Sequence, residues 1–186
     1  MSIIRPVTAR TWKNLFLFCL GLAAGAAFCM KWMENDLRIN GEKFTILGLE
    51  LFYPEGKLLA TFSGLDNHVA AILRYHLSFD FAFMAGIYPG ITALCMMARE
   101  KTSAVTIRKI LFVLAAIQLV GWLADIGENY FLYKWINDYQ YARVNINDSI
   151  PDFMIYRIIV PLKWIIALAG IFFAVPFAVR KRKTGF

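Results

Sequence analysis

Four stretches of this chain are each long and apolar enough to cross a membrane, and that excludes most folds open to a chain of its size. A transmembrane helix needs about 20 mostly apolar residues. The stretches run over about residues 12–33, 72–98, 107–133 and 158–179. The first, WKNLFLFCLGLAAGAAFCMKWM, and the fourth, IIVPLKWIIALAGIFFAVPFAV, carry few charges. The second and third carry charges within them, among them Asp80, Asp125 and Glu128, but their length and flanks favour spanning. The expected fold is an all-α membrane protein: a four-transmembrane-helix bundle with a structured outer loop, residues 34–71, between helices 1 and 2. The whole chain, 1–186, reads as a single integral membrane domain.

Composition agrees. Of 186 residues, 59% are hydrophobic and 18% charged, where a soluble domain carries about 45–50% and about 25%. A net charge of +7 would suggest nucleic acid in a soluble protein. Here the basic residues cluster at the ends of the apolar segments, and no nucleic-acid motif is present, so membrane topology accounts for them. Cys19, Cys29 and Cys95 all fall in apolar segments without metal-site spacing, and read as buried free thiols.

The first segment also fits a cleaved signal peptide, with Arg5, Arg10 and Lys13 before it and AGAA within it. Its length and the Lys31–Trp32 anchor favour a retained helix. Gly21 and Gly25 form a GxxxG step on which another helix is expected to pack closely.

Orientation follows from Lys/Arg asymmetry. The N-terminus carries Arg5, Arg10 and Lys13. The link after the second segment carries Arg99, Lys101, Arg108 and Lys109, and the tail carries RKRK, 180–183. Four spans put all three on one side. The opposite loops carry mixed signs, so both termini are expected to be cytoplasmic in a multi-pass protein of the cell's inner (plasma) membrane. In the outer loop, INGEKFTILGLELFYPEG, Asn40-Gly41 predicts a turn, followed by a short β-like run and a break at Pro54–Gly56. KLLATFSGL reads as an amphipathic helix on the membrane surface, and Ser63 or Asp66 as the cap of the next helix. Asn147-Asp148-Ser149 matches a glycosylation sequon, a tripeptide frequent by chance.

The chemistry concentrates at one depth. Asp80 lies about six residues, roughly 9 Å, along helix 2 from Arg74, and Lys163 about the same distance along helix 4 from Arg157. Asp125 and Glu128 lie about five to eight residues, roughly 8–12 Å, before Tyr133. All four therefore fall in the outer half of the bilayer. Gln118, Trp122, Asp125 and Glu128 with Asn129 follow one helical stripe. His76 and Asp80 share a face with Tyr88 beyond them. Tyr156 and Lys163 lead a stripe of small residues on helix 4. Charges inside a membrane face the bundle interior and pair. Three carboxyl groups against Lys163 approach neutrality if a carboxyl keeps its proton, if Arg157 joins, or if a cation binds. Pro89, Pro161 and Pro176 are expected to kink their helices and open space between them.

Asp80-x-x-Phe83 with Tyr88, then Ala124-Asp125-x-x-Glu128-Asn129, resembles the motif pair of a group of small bacterial four-helix membrane proteins. The likeness covers about a third of the chain and implies no activity. A fainter likeness is to the sterol-isomerase and sigma-2-receptor type of membrane bundle, which holds acidic residues in an intramembrane pocket. The Asp-x-x-Glu-Asn run departs from that pattern.

The leading functional expectation is a pocket for a lipid-like or hydrophobic small molecule with a polar or cationic head. Asp125 and Glu128 are then the candidate catalytic acid and base. His76, Asp80, Tyr88, Trp122, Asn129 and Lys163 are the candidate ligand contacts. One alternative is a divalent-metal site built from His76, Asp80, Asp125 and Glu128. Another is an accessory subunit whose polar layer locks the helices while the outer loop meets a protein partner. No nucleophile elbow, phosphate loop or dinucleotide fingerprint is present, so the residues name neither a reaction nor a cofactor.

Overall fold

The computed structural model describes residues 8–140, 150 and 152–179. The sequon, Arg5 and the RKRK tail lie outside the described residues. Among the described residues are five α-helices: α1 (Ala9–Met33), α2 (Glu55–Ser63), α3 (Asn67–Lys101), α4 (Val105–Gln140) and α5 (Phe153–Ala178). All but α2 are long and apolar enough to span a membrane. The expected ends were too short. Asp66 accepts a hydrogen bond from the Val69 N–H at 2.8 Å, so α3 starts at Asn67 rather than near residue 72. Similarly, α4 runs on to Gln140. The charged layer consequently sits nearer the middle of these helices than the sequence suggested.

Side-chain pairs give the helix directions. Gly90 of α3 faces Cys19 and Gly86 faces Ala23, so α3 runs antiparallel to α1. The pairs Asp80–Asn129 and Thr92–Ala115 make α4 antiparallel to α3. Contacts of Gln118 with Ile166 and of Asp125 with Lys163 make α5 antiparallel to α4. One end of this up-down-up-down bundle, the turn end, gathers the start of α1, the α3–α4 turn and the close of α5. The other, the loop end, carries the 34–66 connection. The GxxxG expectation is corrected here. A Cβ on Gly21 or Gly25 would meet nothing within 4 Å, whereas one on Gly86 would lie 2.7 Å from the Ala23 backbone nitrogen. The close approach is made by the Gly86/Gly90 pair of α3 against Cys19 and Ala23 of α1. The first segment is thus a packed member of the bundle. Its thiols are free, Cys19 and Cys95 buried and Cys29 half-buried.

The connection is compact. Asn40 and Gly41 have φ of 50° and 83°, the left-handed pair a two-residue hairpin turn requires. They join β1 (Arg38–Ile39) to β2 (Glu42–Lys43). The β-like run is a strand over Glu42–Lys43 and turns helical beyond it. Thr45 Oγ1 accepts from the Gly48 N–H at 3.0 Å, and the Tyr53 N–H reaches back five residues to the Gly48 carbonyl at 2.8 Å. Gly48–Phe52 is therefore a wide π-helical turn. α2 does not lie free on a surface either: Leu58 and Phe62 are fully buried, Phe62 edge-on to Trp135.

Two apolar clusters bracket the bundle. At the loop end, Leu49, Leu58 and Phe62 join Leu73, Trp135, Ile136 and Tyr156. At the turn end, Leu94, Cys95, Leu111 and Ala174 pack together. The segments between them carry the buried Gln118, Asp125, Glu128, Asn129 and Lys163 of α4 and α5.

Candidate functional site

Lys163 of α5 is 6% exposed. Its Nζ donates to Asp125 Oδ1 at 2.6 Å and lies 2.6 Å from Glu128 Oε2 and 3.5 Å from Glu50 Oε2. The Glu128 contact is an ion pair without hydrogen-bond angles, and Glu128 Oε1 has no hydrogen-bond partner among the described residues. Tyr88 of α3 donates its hydroxyl to Asp125 Oδ2 at 3.0 Å. Both oxygens of Asp125 are thus engaged. The Asn129 amide donates to Asp80 Oδ2 at 2.7 Å, tying α4 to α3. Gln118 donates to the Leu114 and Ile166 carbonyls, both at 3.1 Å.

A glycine makes this geometry possible. A Cβ on Gly121 would lie 2.8 Å from the Tyr88 ring and 3.0 Å from Ile166. Its absence lets Tyr88 cross to Asp125, one helical turn further along α4. Tyr88→Phe removes one of two partners of a buried carboxylate. A loss of about 1.5–3 kcal/mol is expected, read as a lower unfolding temperature in detergent with unchanged helix content.

Two residues outside the sequence-derived set complete the layer. Glu50 is carried inward by the π-helical turn, and Trp164 Nε1 donates to its Oε2 at 3.1 Å. The Tyr156 hydroxyl donates to the neighbouring Leu49 carbonyl at 3.2 Å, fixing that turn on α5. Glu50 carried a signal: it is a single acidic residue inside the apolar run ILGLELF.

A cavity of about 140 Å³ opens between α3 and α5. Glu50, Asp80, Tyr88, Asp125 and Lys163 form its polar wall, and Phe83, Ile87, Trp164 and Leu168 are among its apolar lining. Leu168 is exposed on the outer face of α5, so the cavity adjoins the side of the bundle. Glu128 and Asn129 do not line it. Trp122 is half-buried and also stands apart. His76 is 4% exposed, its Nδ1 has no hydrogen-bond partner among the described residues, and its acidic neighbour is Glu34 rather than the central carboxylates. The imidazole-plus-carboxylate metal set is therefore not assembled. Among the described residues no group of three His, Cys, Asp or Glu side chains is arranged to hold a metal ion. Arg157 is exposed over the Phe153 ring and does not join the layer.

Four carboxyl groups, of Glu50, Asp80, Asp125 and Glu128, thus face the single ammonium of Lys163. Uncompensated charge inside a bilayer costs several kcal/mol. Neutrality needs protons held within the cluster or a bound cation.

Comparison of the chain with protein-family models, with curated proteins and with solved structures returned no match.

Proposed function

We propose that this is a multi-pass inner-membrane protein that binds an amphiphile with a cationic head, taking the head into the α3–α5 cavity from the side. Both termini are cytoplasmic and the loop end faces outward. The orientation rests on the basic excess at the turn end, where Arg10, Lys13, Arg99, Lys101, Arg108 and Lys109 gather. The ligand class rests on one observation: an acid-rich cavity with an apolar mouth. Its volume decides how much enters. About 150 Å³ holds a benzene-sized group, so an ammonium head fits and a whole sterol does not. The tail lies along Phe83, Ile87, Leu168 and Ile171. Glu50 and Asp80 meet the head: the contacts from Trp164 and Lys163 fall on one Glu50 oxygen and that from Asn129 on one Asp80 oxygen, whereas both Asp125 oxygens are held.

The test is equilibrium binding of dodecyltrimethylammonium to the purified chain in uncharged detergent. A neutral ether of the same chain length serves as the comparison. The ammonium is expected to bind and the ether to fail. Glu50→Gln and Asp80→Asn should each weaken binding about tenfold or more, the loss of a charge-assisted contact. Equal binding of both probes, or normally folded variants with unchanged affinity, rejects the reading.

A further inference from the structure

We infer that the turn end holds a separate site for the phosphate of an anionic phospholipid. Two open cavities meet at Arg108, which lines both. One, of about 450 Å³, is lined by Arg99, Lys109 and Phe112 among others. The other, of about 720 Å³, contains Arg10, Lys13 and Lys101, with Glu100 as its acidic group. The Lys101 ammonium is taken by the Ala178 carbonyl. Arg99 is not satisfied in the same way. Its Nε is buried with no hydrogen-bond partner among the described residues, and its guanidinium sits 5.5 Å from the Phe112 ring.

The helix dipoles add to this potential. The starts of α1 and α4 both lie here, and neither first turn contains an acidic residue. Helix N-termini favour anions and disfavour cations. Yet Arg10 and Lys13 follow the start of α1, and Arg108 and Lys109 the start of α4. Side-chain charge and dipole therefore push the same way, and an anion offsets both. Topology alone accounts for basic residues at this end. It does not account for concave spaces among them, or for a buried guanidinium N–H left over.

The apolar wall makes the anion a lipid. Val105, Phe112 and Val113 are 67%, 54% and 59% exposed beside the cations. They continue into the outward apolar face of α4, which carries Leu119 and Val120. A phosphate held by Arg99, Arg108 and Lys109 has its acyl chains on that face. This site shares no residue with the α3–α5 cavity and stands without the amphiphile reading.

The experiment is retention of phospholipid by the full chain, measured by native mass spectrometry. The protein is extracted from phosphatidylcholine bilayers containing a minor fraction of phosphatidylglycerol. Phosphatidylglycerol is expected to be enriched on the protein. Arg108→Gln should reduce that retention about fivefold, the effect of one basic residue near an anionic headgroup. Lys109→Gln, on the exposed side, gives the same readout if Arg108→Gln does not fold. Lys43→Gln at the loop end should change nothing. Equal retention of the two lipids overturns the inference, as does an unchanged preference in both turn-end variants. Displacement of the retained lipid by millimolar inorganic phosphate would assign the cavity to free phosphate and overturn the lipid assignment.

Discussion

Lys163→Met is expected to leave almost no monodisperse protein, because it removes the ammonium that three carboxylates share. Asp125 and Glu128 are 4% and 0% exposed, each 2.6 Å from Nζ, with Glu50 at 3.5 Å. Breaking a buried pair from one side costs about 3–5 kcal/mol, a large part of the 5–15 kcal/mol that holds a typical domain. A triple variant, Lys163→Met with Asp125→Asn and Glu128→Gln, removes the charges from both sides. It is expected to recover most of the yield in fluorescence-detected size exclusion. Asp80→Asn and Glu50→Gln should keep normal yield, since Glu50 stands at the longer 3.5 Å from Nζ and Asp80 makes no ion pair with Lys163 among the described residues. That contrast separates two jobs within one layer. Asp125, Glu128 and Lys163 join α4 to α5, while Glu50 and Asp80 are the carboxyls assigned to the proposed ligand. Should the triple variant stay as depleted as Lys163→Met, the loss lies in packing of the long side chain and the electrostatic account fails.

Much of this layer was legible because a spanning helix has a fixed rise and rotation per residue. Counting from the segment ends put Asp80, Asp125, Glu128 and Lys163 at one depth, and their contacts bear that out. The 3.6-residue stripe joined Gln118, Asp125, Glu128 and Asn129, all buried, but it also included Trp122, which is only half-buried and stands apart. Face-sharing was less informative on α3, which has neighbours on more than one side. His76 lies four residues before Asp80, yet its acidic neighbour is Glu34. Glu50 stood out as a lone acid in an apolar run, but its place in the layer was out of reach for a different reason. It lies in a connection whose path is set by tertiary packing, and the residues ILGLELF suit a strand as well as a wide turn. Only the burial of Leu49 and the hydrogen bond from Tyr156 decide between them.

The glycine motif shows the same limit, and its correction leads to the second large effect. Gly86→Leu is expected to release α1 from α3. Even a single Cβ at Gly86 would lie 2.7 Å from the Ala23 nitrogen and 2.8 Å from the Cys19 oxygen, both backbone atoms that cannot swing aside. Overpacking of this kind costs typically about 1–3 kcal/mol, and the further carbons of leucine add to it. α1 packs chiefly on α3, and its buried residues are Cys19, Ala23 and Ala26. Inside a bilayer, helices associate through such close packing, since lipid tails are as apolar as the side chains. The readout is Cys19, only 2% exposed in the packed bundle. In a background with Cys29→Ser and Cys95→Ser, a membrane-permeant maleimide should label Cys19 slowly in the parent and rapidly in Gly86→Leu. Gly25→Leu, whose added side chain begins in open space, should label as slowly as the parent. Fast labelling of Gly25→Leu with a protected Gly86→Leu would reverse the assignment and return the helix contact to the Gly21/Gly25 face.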